Sequence, residues 1–292
     1  MEIKTVGVVG GGTMGSGIVQ QFAQAGYKVI MARARPRAEI ERLAEERGLG
    51  LIKRNLSRQV ERERLTRGEA DAILGRIQVA YDHGELAEVD LVIEAIVEIM
   101  AKKKEFFSKL DRIVKPEAIL ASNTSGLSIT EIASATGRSG QVIGMHFFNP
   151  VPVMKLVEVV RGTDTSDSTF NTIMELAGKI GKEAIAVNEA PLFVVNRLLI
   201  PMINEAAFVL QEGISSAEDI DRGMRLGANH PIGPLALGDL VGLDVVLMIM
   251  DNLHWETRDS KYRASPLIRR LVRAGRLGRK TGRGFYDYKN RG

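Results

Sequence analysis

The feature that most constrains this chain is an apolar run at residues 3–9 that opens into Gly10-Gly11-Gly12-Thr13-Met14-Gly15. A helical pattern follows, reaching about residue 25. Gly10, Gly12 and Gly15 keep a G-x-G-x-x-G spacing. In such a spacing the first glycine makes a tight turn and the second lets backbone approach a pyrophosphate, while the third lets a helix close on a strand. The helix N-terminus adds unpaired N–H groups for the same phosphates. The spacing alone is weak, but between a strand and a helix it predicts a dinucleotide site contacted by Gly10, Gly12, Thr13, Met14 and Gly15.

Further short apolar runs occupy 28–31, 91–95, 118–121, 142–145, 156–160 and 183–187, with helical patterns between most of them. Several are apolar throughout, as strands covered on both faces are. The alternation predicts an α/β chain whose domain 1–187 is a Rossmann-like doubly wound sheet. Residues 37–80 are charged and poor in β-formers, and read as one or two helices projecting from that sheet. Beyond Val187 the pattern turns helical. Pro191 suits the first turn of a helix ending near Gln211, Gly213 its C-terminal cap, and Pro201 a kink within it. Two more helical regions cover 239–253 and 266–274, so 188–292 is expected to be a smaller all-helical C-terminal domain.

Composition narrows the class. The 292 residues are 45% hydrophobic, enough for one large core and a smaller one. No run of about 18 apolar residues exists, so no membrane association is expected. The first residues pass into a strand pattern without separate charged, apolar and cleavage regions, and no secretory signal is read. With no cysteine, disulfides, thiolate metal sites and a cysteine nucleophile are excluded, and a cytoplasmic setting is the default. The formal charge of +4 is interleaved, as in Glu61-Arg62-Glu63-Arg64, rather than gathered into the patch a nucleic-acid binder needs.

The loop after the second strand bears on which dinucleotide is held. A carboxylate there would bond the ribose 2′-OH of NAD, whereas arginines accommodate the 2′-phosphate of NADP. The sequence reads Ala32-Arg33-Ala34-Arg35-Pro36-Arg37-Ala38-Glu39. Arg33 stands where the acid belongs, with Arg35 and Arg37 beside it, which favours NADP. An alignment with an insertion in this loop offers Glu39 as the acid and keeps NAD as the alternative.

Of four histidines, His146 stands out in Gly144-Met145-His146-Phe147-Phe148-Asn149-Pro150. A strand ends there, at the edge where sheets of this type face a ligand. The chain turns at Pro150-Val151-Pro152 and returns as Met154-Lys155-Leu156-Val157-Glu158. Pairing about a turn centred near Pro152 sets His146 opposite Glu158, on one face. A carboxylate beside histidine orients the ring and favours its protonated form, which suits a general base. Hydride transfer from an alcohol needs little else, because a dinucleotide is the oxidant and no metal is required. On the residues alone, a catalytic pair and a structural His–Glu contact are both open.

At this point the chain resembles the 3-hydroxyacyl-CoA dehydrogenase family, nearest to its bacterial short-chain members. The matching segments are 10–17, Val92-Ile93-Glu94-Ala95-Ile96-Val97-Glu98, Ala121-Ser122-Asn123-Thr124-Ser125, 144–158, 191–196, Gly233-Pro234-Leu235 and Gly282-Arg283-Gly284-Phe285-Tyr286. The resemblance implies that His146 is the catalytic base and Glu158 its partner, and that Ser125 and Asn196 hold the substrate's 3-oxygen. It also implies that Glu98, Lys103, Asn123 and Asn149 contact the nicotinamide half of the cofactor. The implied substrate is an acyl-CoA, 3-hydroxybutyryl-CoA or acetoacetyl-CoA, and the implied assembly is a homodimer. Lys53 and Arg54 are candidates for the CoA phosphates. A longer-chain or dicarboxylic acyl-CoA enzyme and a non-catalytic dinucleotide-binding homologue are the alternatives. Two departures stand out: the basic loop is about six residues longer than the family form, and Gly126 replaces the second of two adjacent serines.

Overall fold

The structure, a computed structural model, describes residues 1–33 and 42–289, with side chains of the second stretch from residue 48 onward. It divides into two compact units, Met1–Phe193 and Val194–Gly292. The division falls a few residues after the expected boundary, because Leu192 and Phe193 are buried in the first unit's turn after its last strand.

The first unit runs β1 (Thr5–Val9), α1 (Thr13–Gln24), β2 (Lys28–Ala32), α2 (Arg42–Glu61), α3 (Arg67–Leu74), β3 (Ile77–Val79), β4 (Leu91–Glu94), α4 (Met100–Ile113), β5 (Ile119–Ser122), α5 (Ile129–Ala133), β6 (Val142–Phe147), β7 (Leu156–Arg161), α6 (Asp167–Lys179) and β8 (Glu183–Asn188). Among the described residues, eight strands form one sheet in the order β3-β2-β1-β4-β5-β6-β7-β8. The order reverses between β1 and β4, which creates a crevice at the carboxyl ends of those strands. All pairings are parallel except β6 with β7.

Period-two alternation divides the sheet's side chains between two cores. Val6, Val8, Leu91, Ile93, Ile143, Met145, Val157 and Val159 pack with Ile18 and Phe22 of α1, Ile52 of α2 and Ile173 of α6. Val92, Leu120, Val142 and Val160 face the other way, toward Phe106, Phe107 and Leu110 of α4 and Ile129 and Ile132 of α5. Truncating a wholly buried side chain such as Phe107 to alanine would cost about 3–5 kcal/mol. Residues 37–80 hold α2 and α3 as expected, but also β3, which the sequence reading missed. Three residues are too few for alternation to register, and Ile77 and Val79 follow a helix directly.

The second unit is α7 (Val195–Gln211), α8 (Ala217–Gly227), α9 (Pro234–Val241), α10 (Leu243–Thr257) and α11 (Pro266–Arg273). The sequence placed Pro191 inside the first of these helices. Instead Leu192 and Phe193 take positive φ values of 62° and 58°, so helical geometry starts only at Val195. Gly213, at φ 72°, closes α7 as expected. The single helix expected over 239–253 is two, broken at Gly242 with φ 102°. α7 packs against each of the other four helices.

Two buried acids pin the end of this unit. Asp221 accepts from the backbone N–H groups of Leu235 and Ala236 at 2.8 and 2.9 Å and from the Tyr286 hydroxyl at 2.8 Å. Asp239 accepts from the N–H groups of Phe285 and Tyr286 at 2.9 and 3.0 Å and from the Tyr288 hydroxyl at 3.1 Å. The Gly282-Arg283-Gly284-Phe285-Tyr286 motif is therefore a clasp. A Cβ on Gly284 would collide with the Asp239 carboxylate. No described helix of either unit is long and apolar enough to cross a membrane.

Candidate active site

The glycine turn leaves β1 with Gly10 at φ 127°, its N–H donating to the Ala32 carbonyl at 3.0 Å. A Cβ on Gly10 would meet the Ala95 carbonyl, and one on Gly15 the Gly10 carbonyl, so both positions require glycine. Gly12 caps α1 differently. Nothing lies within 4 Å of where its Cβ would be, no side chain caps the helix, and the first turn, with Thr13 and Met14, carries no acid. Among the described residues no side chain caps the first N–H groups of α1, which stand at the positive end of the helix dipole, an arrangement that fits a dinucleotide pyrophosphate.

Arg33 directly follows β2, and its carbonyl accepts from Nε2 of the buried His83. Arg35, Arg37 and Glu39 lie outside the described residues. Lys53 and Arg54 are exposed on α2, between the buried Ile52 and Leu56.

At the carboxyl end of β4 a buried network supports Ser125. Glu94, inside an otherwise apolar strand, accepts from the Lys103 ammonium at 2.6 Å, the Ser122 hydroxyl at 2.7 Å and the Ile96 N–H at 2.7 Å. Lys103, 1% exposed, also reaches Glu98 at 3.2 Å. Glu98 in turn accepts from the Thr124 hydroxyl at 2.5 Å and from the N–H and hydroxyl of Ser125 at 2.8 and 3.2 Å. Lys103 is spent inside this network, and Glu98 is the member at the surface. Asn123 accepts from the Phe147 N–H at 2.9 Å, tying β5 to the end of β6, and Asn149 is exposed beyond it. Sequence reasoning missed Glu94 and Ser122. The only signal for Glu94 is a carboxylate within the run Val92-Ile93-Glu94-Ala95.

The antiparallel β6–β7 register sets His146 directly opposite Glu158, on the face shared with Val142 and Val160. The His146 Nδ1–Glu158 Oε2 distance is 2.6 Å, with Glu158 fully buried and His146 6% exposed. A carboxylate only accepts, so Nδ1 carries a proton, and in the neutral form of the ring the lone pair is on Nε2. Phe148 and Phe193 pack on the imidazole, with ring centroids at 4.5 and 5.8 Å. The ring is oriented, shielded, and able to take one proton through Nε2. Asn196 stands in the first turn of α7, in the second unit.

A doubly wound sheet with this glycine turn, and a histidine–carboxylate pair at the ends of neighbouring strands, defines the class of dinucleotide-dependent oxidoreductases. Family models agree in detail. Residues 5–190 match the NAD-binding domain of 3-hydroxyacyl-CoA dehydrogenase, and residues 193–288 match its C-terminal domain. The chain belongs to the 3-hydroxyacyl-CoA dehydrogenase family, NAD-dependent oxidoreductases acting on a CH–OH group. It is 53% identical to a probable 3-hydroxybutyryl-CoA dehydrogenase of Bacillus subtilis, across 100% of this chain and 99% of that one. It is 52% identical to the 3-hydroxybutyryl-CoA dehydrogenase of Clostridioides difficile, across 96% and 98%. The crystal structure of (S)-3-hydroxybutyryl-CoA dehydrogenase from Ralstonia eutropha superposes with a TM-score of 0.95 at 47% identity, covering 99% of this chain and all of that one.

Proposed function

We propose that the chain interconverts a short-chain 3-hydroxyacyl-CoA and its 3-keto partner, 3-hydroxybutyryl-CoA and acetoacetyl-CoA being the natural pair. The observation that carries this reading is the His146–Glu158 contact at 2.6 Å, with Nε2 left to take a proton. In the oxidation direction Nε2 removes the 3-hydroxyl proton, and the positive charge that appears on the ring faces the Glu158 carboxylate. The nicotinamide supplies the hydride acceptor, or the donor in reverse. Ser125, steadied by Glu98, and Asn196 hydrogen-bond the substrate's 3-oxygen and stabilise the charge that develops there. Glu98, Asn123 and Asn149 border the nicotinamide half, with Lys103 acting on it through Glu98.

The finer cofactor choice rests on Arg33. A guanidinium following β2, where an acid would take the ribose 2′-OH, supports NADP over NAD. The charges of Lys53 and Arg54 on exposed α2 support contact with CoA phosphates. The relatives' names support an acyl-CoA substrate, and exposed Leu198, Leu226 and Met248 in the second unit support a homodimer built on it.

The test is absorbance loss at the nicotinamide band with acetoacetyl-CoA, using NADPH and NADH in turn and at rising salt. Oxidation of either cofactor is expected, with NADPH faster and the Michaelis constant for acetoacetyl-CoA rising with salt. A large NADH preference removes the arginine reading, and a salt-independent Michaelis constant removes Lys53 and Arg54. Cofactor binding without oxidation would overturn the proposed reaction.

A further inference from the structure

Lysine in a turn between a helix and an edge strand is ordinarily solvated, its ammonium in water. Lys182, between α6 and β8, is not: it is 6% exposed. Its Nζ donates to the Val151 carbonyl at 2.5 Å and to the Met154 carbonyl at 2.7 Å. Those carbonyls belong to the turn joining β6 to β7, the strands that carry His146 and Glu158. Burial pushes the Lys182 ammonium below the ordinary lysine range, as expected of a cation withdrawn from water.

The same turn rests on the cofactor helix. A Cβ on Gly17 of α1 would lie 2.9 Å from Val151 Cβ and 3.6 Å from Pro152 Cδ, so the missing side chain is what admits the turn. Beside it, Gln21 of α1 donates to the Ile180 carbonyl at 2.6 Å, two residues before Lys182. α1 therefore touches the 150–154 turn through Gly17 and the 180–182 turn through Gln21, and Lys182 joins the two turns. Nothing in the reaction uses the Lys182 ammonium directly, yet its donors fix the segment between base and partner against the helix that opens the dinucleotide site.

We propose that Lys182 is a positioning residue for hydride transfer, setting the His146–Glu158 hairpin against α1 so that base and bound dinucleotide share one geometry. This rests on His146 acting as the base. Lys182→Met keeps the aliphatic stem and removes both donors. It should lower kcat by about tenfold to a hundredfold, the range that a misplacement of up to an ångström produces. Cofactor affinity, measured by nicotinamide fluorescence titration, should stay within about twofold, because the pyrophosphate turn is untouched. Gly17→Ala acts on the same turn from the other side, so the double variant should lose much less than the product of the single effects. Lys182→Gln, which keeps an uncharged amide donor on a shorter side chain, runs beside the methionine variant, so that poor folding of one leaves the other to be read. His146→Ala, run in parallel, tests the base separately.

Three results would overturn the proposal: kcat within twofold of the parent protein in the Lys182 variants, a loss of cofactor affinity as large as the loss of kcat, or single effects that multiply. Full activity of His146→Ala would overturn the base assignment instead.

Discussion

Glu158 in the first unit and Asp239 in the second are both buried carboxylates, and both are hydrogen-bonded, yet their partners differ in kind. Glu158 faces an imidazole whose far nitrogen can gain a proton. Asp239 faces two backbone N–H groups and a phenol, none of which changes charge near neutral pH. The first arrangement couples a buried charge to an event outside it. The second holds a chain end in place. Burial and hydrogen bonding do not separate a reactive acid from a structural one; the capacity of the partner to change charge does.

Predictions that sharpen the contrast begin with the reactive acid. His146→Ala or Glu158→Gln should lower turnover by about a hundredfold or more, as loss of acid–base catalysis does. A variant that unfolds early while keeping its rate would reverse the comparison. Asp239→Ala should do the opposite. It leaves two N–H groups and a hydroxyl without an acceptor, which costs about 2–3 kcal/mol of stability in the second unit. Denaturant unfolding would show it, while residual rate per folded molecule stays close to the parent's.

The pH dependence separates the acids again, with a smaller effect. Burial raises the Asp239 carboxyl above the usual range, and the nearby Asp221 charge adds to this against the three donors. Its contribution to stability is thus full below the unfolded-state value and lost as pH rises through the folded one. Asp111 goes the other way. Burial would raise it, but the Gly137 N–H at 2.8 Å and the Arg138 guanidinium at 2.6 Å hold it below the usual range. Its stabilisation is present above the unfolded-state value and lost as pH falls through the folded one. Asp111→Asn should therefore lower stability by about 1–2 kcal/mol at neutral pH and by almost nothing in strong acid. Unfolding midpoints of the two proteins that stay parallel across pH would contradict that sign.

Much of this was legible in the residues. The glycine turn declares itself by position between strand and helix, and the His146–Glu158 pairing by symmetric spacing about Pro152. Both are local, so a single sequence carries them. The clasp of Asp221 and Asp239 with residues 285–288 was not legible, because its partners lie far apart along the chain. The resemblance sets Lys103 against the cofactor, whereas the fold sets Glu94 beside it, and nothing in the residues around Lys182 announces its burial. α7 starts late because Leu192 and Phe193 take left-handed backbone, which nothing in their side chains announces.

The one antiparallel pairing in the sheet has a further consequence. Base and partner are only twelve positions apart, so their meeting needs a single small loop closure rather than a helical crossover. The dyad is thus more local than the parallel strand pairings around it and can assemble early on the folding route. Proton-handling machinery of this compactness sits within one hairpin, leaving the rest of the sheet to vary around it.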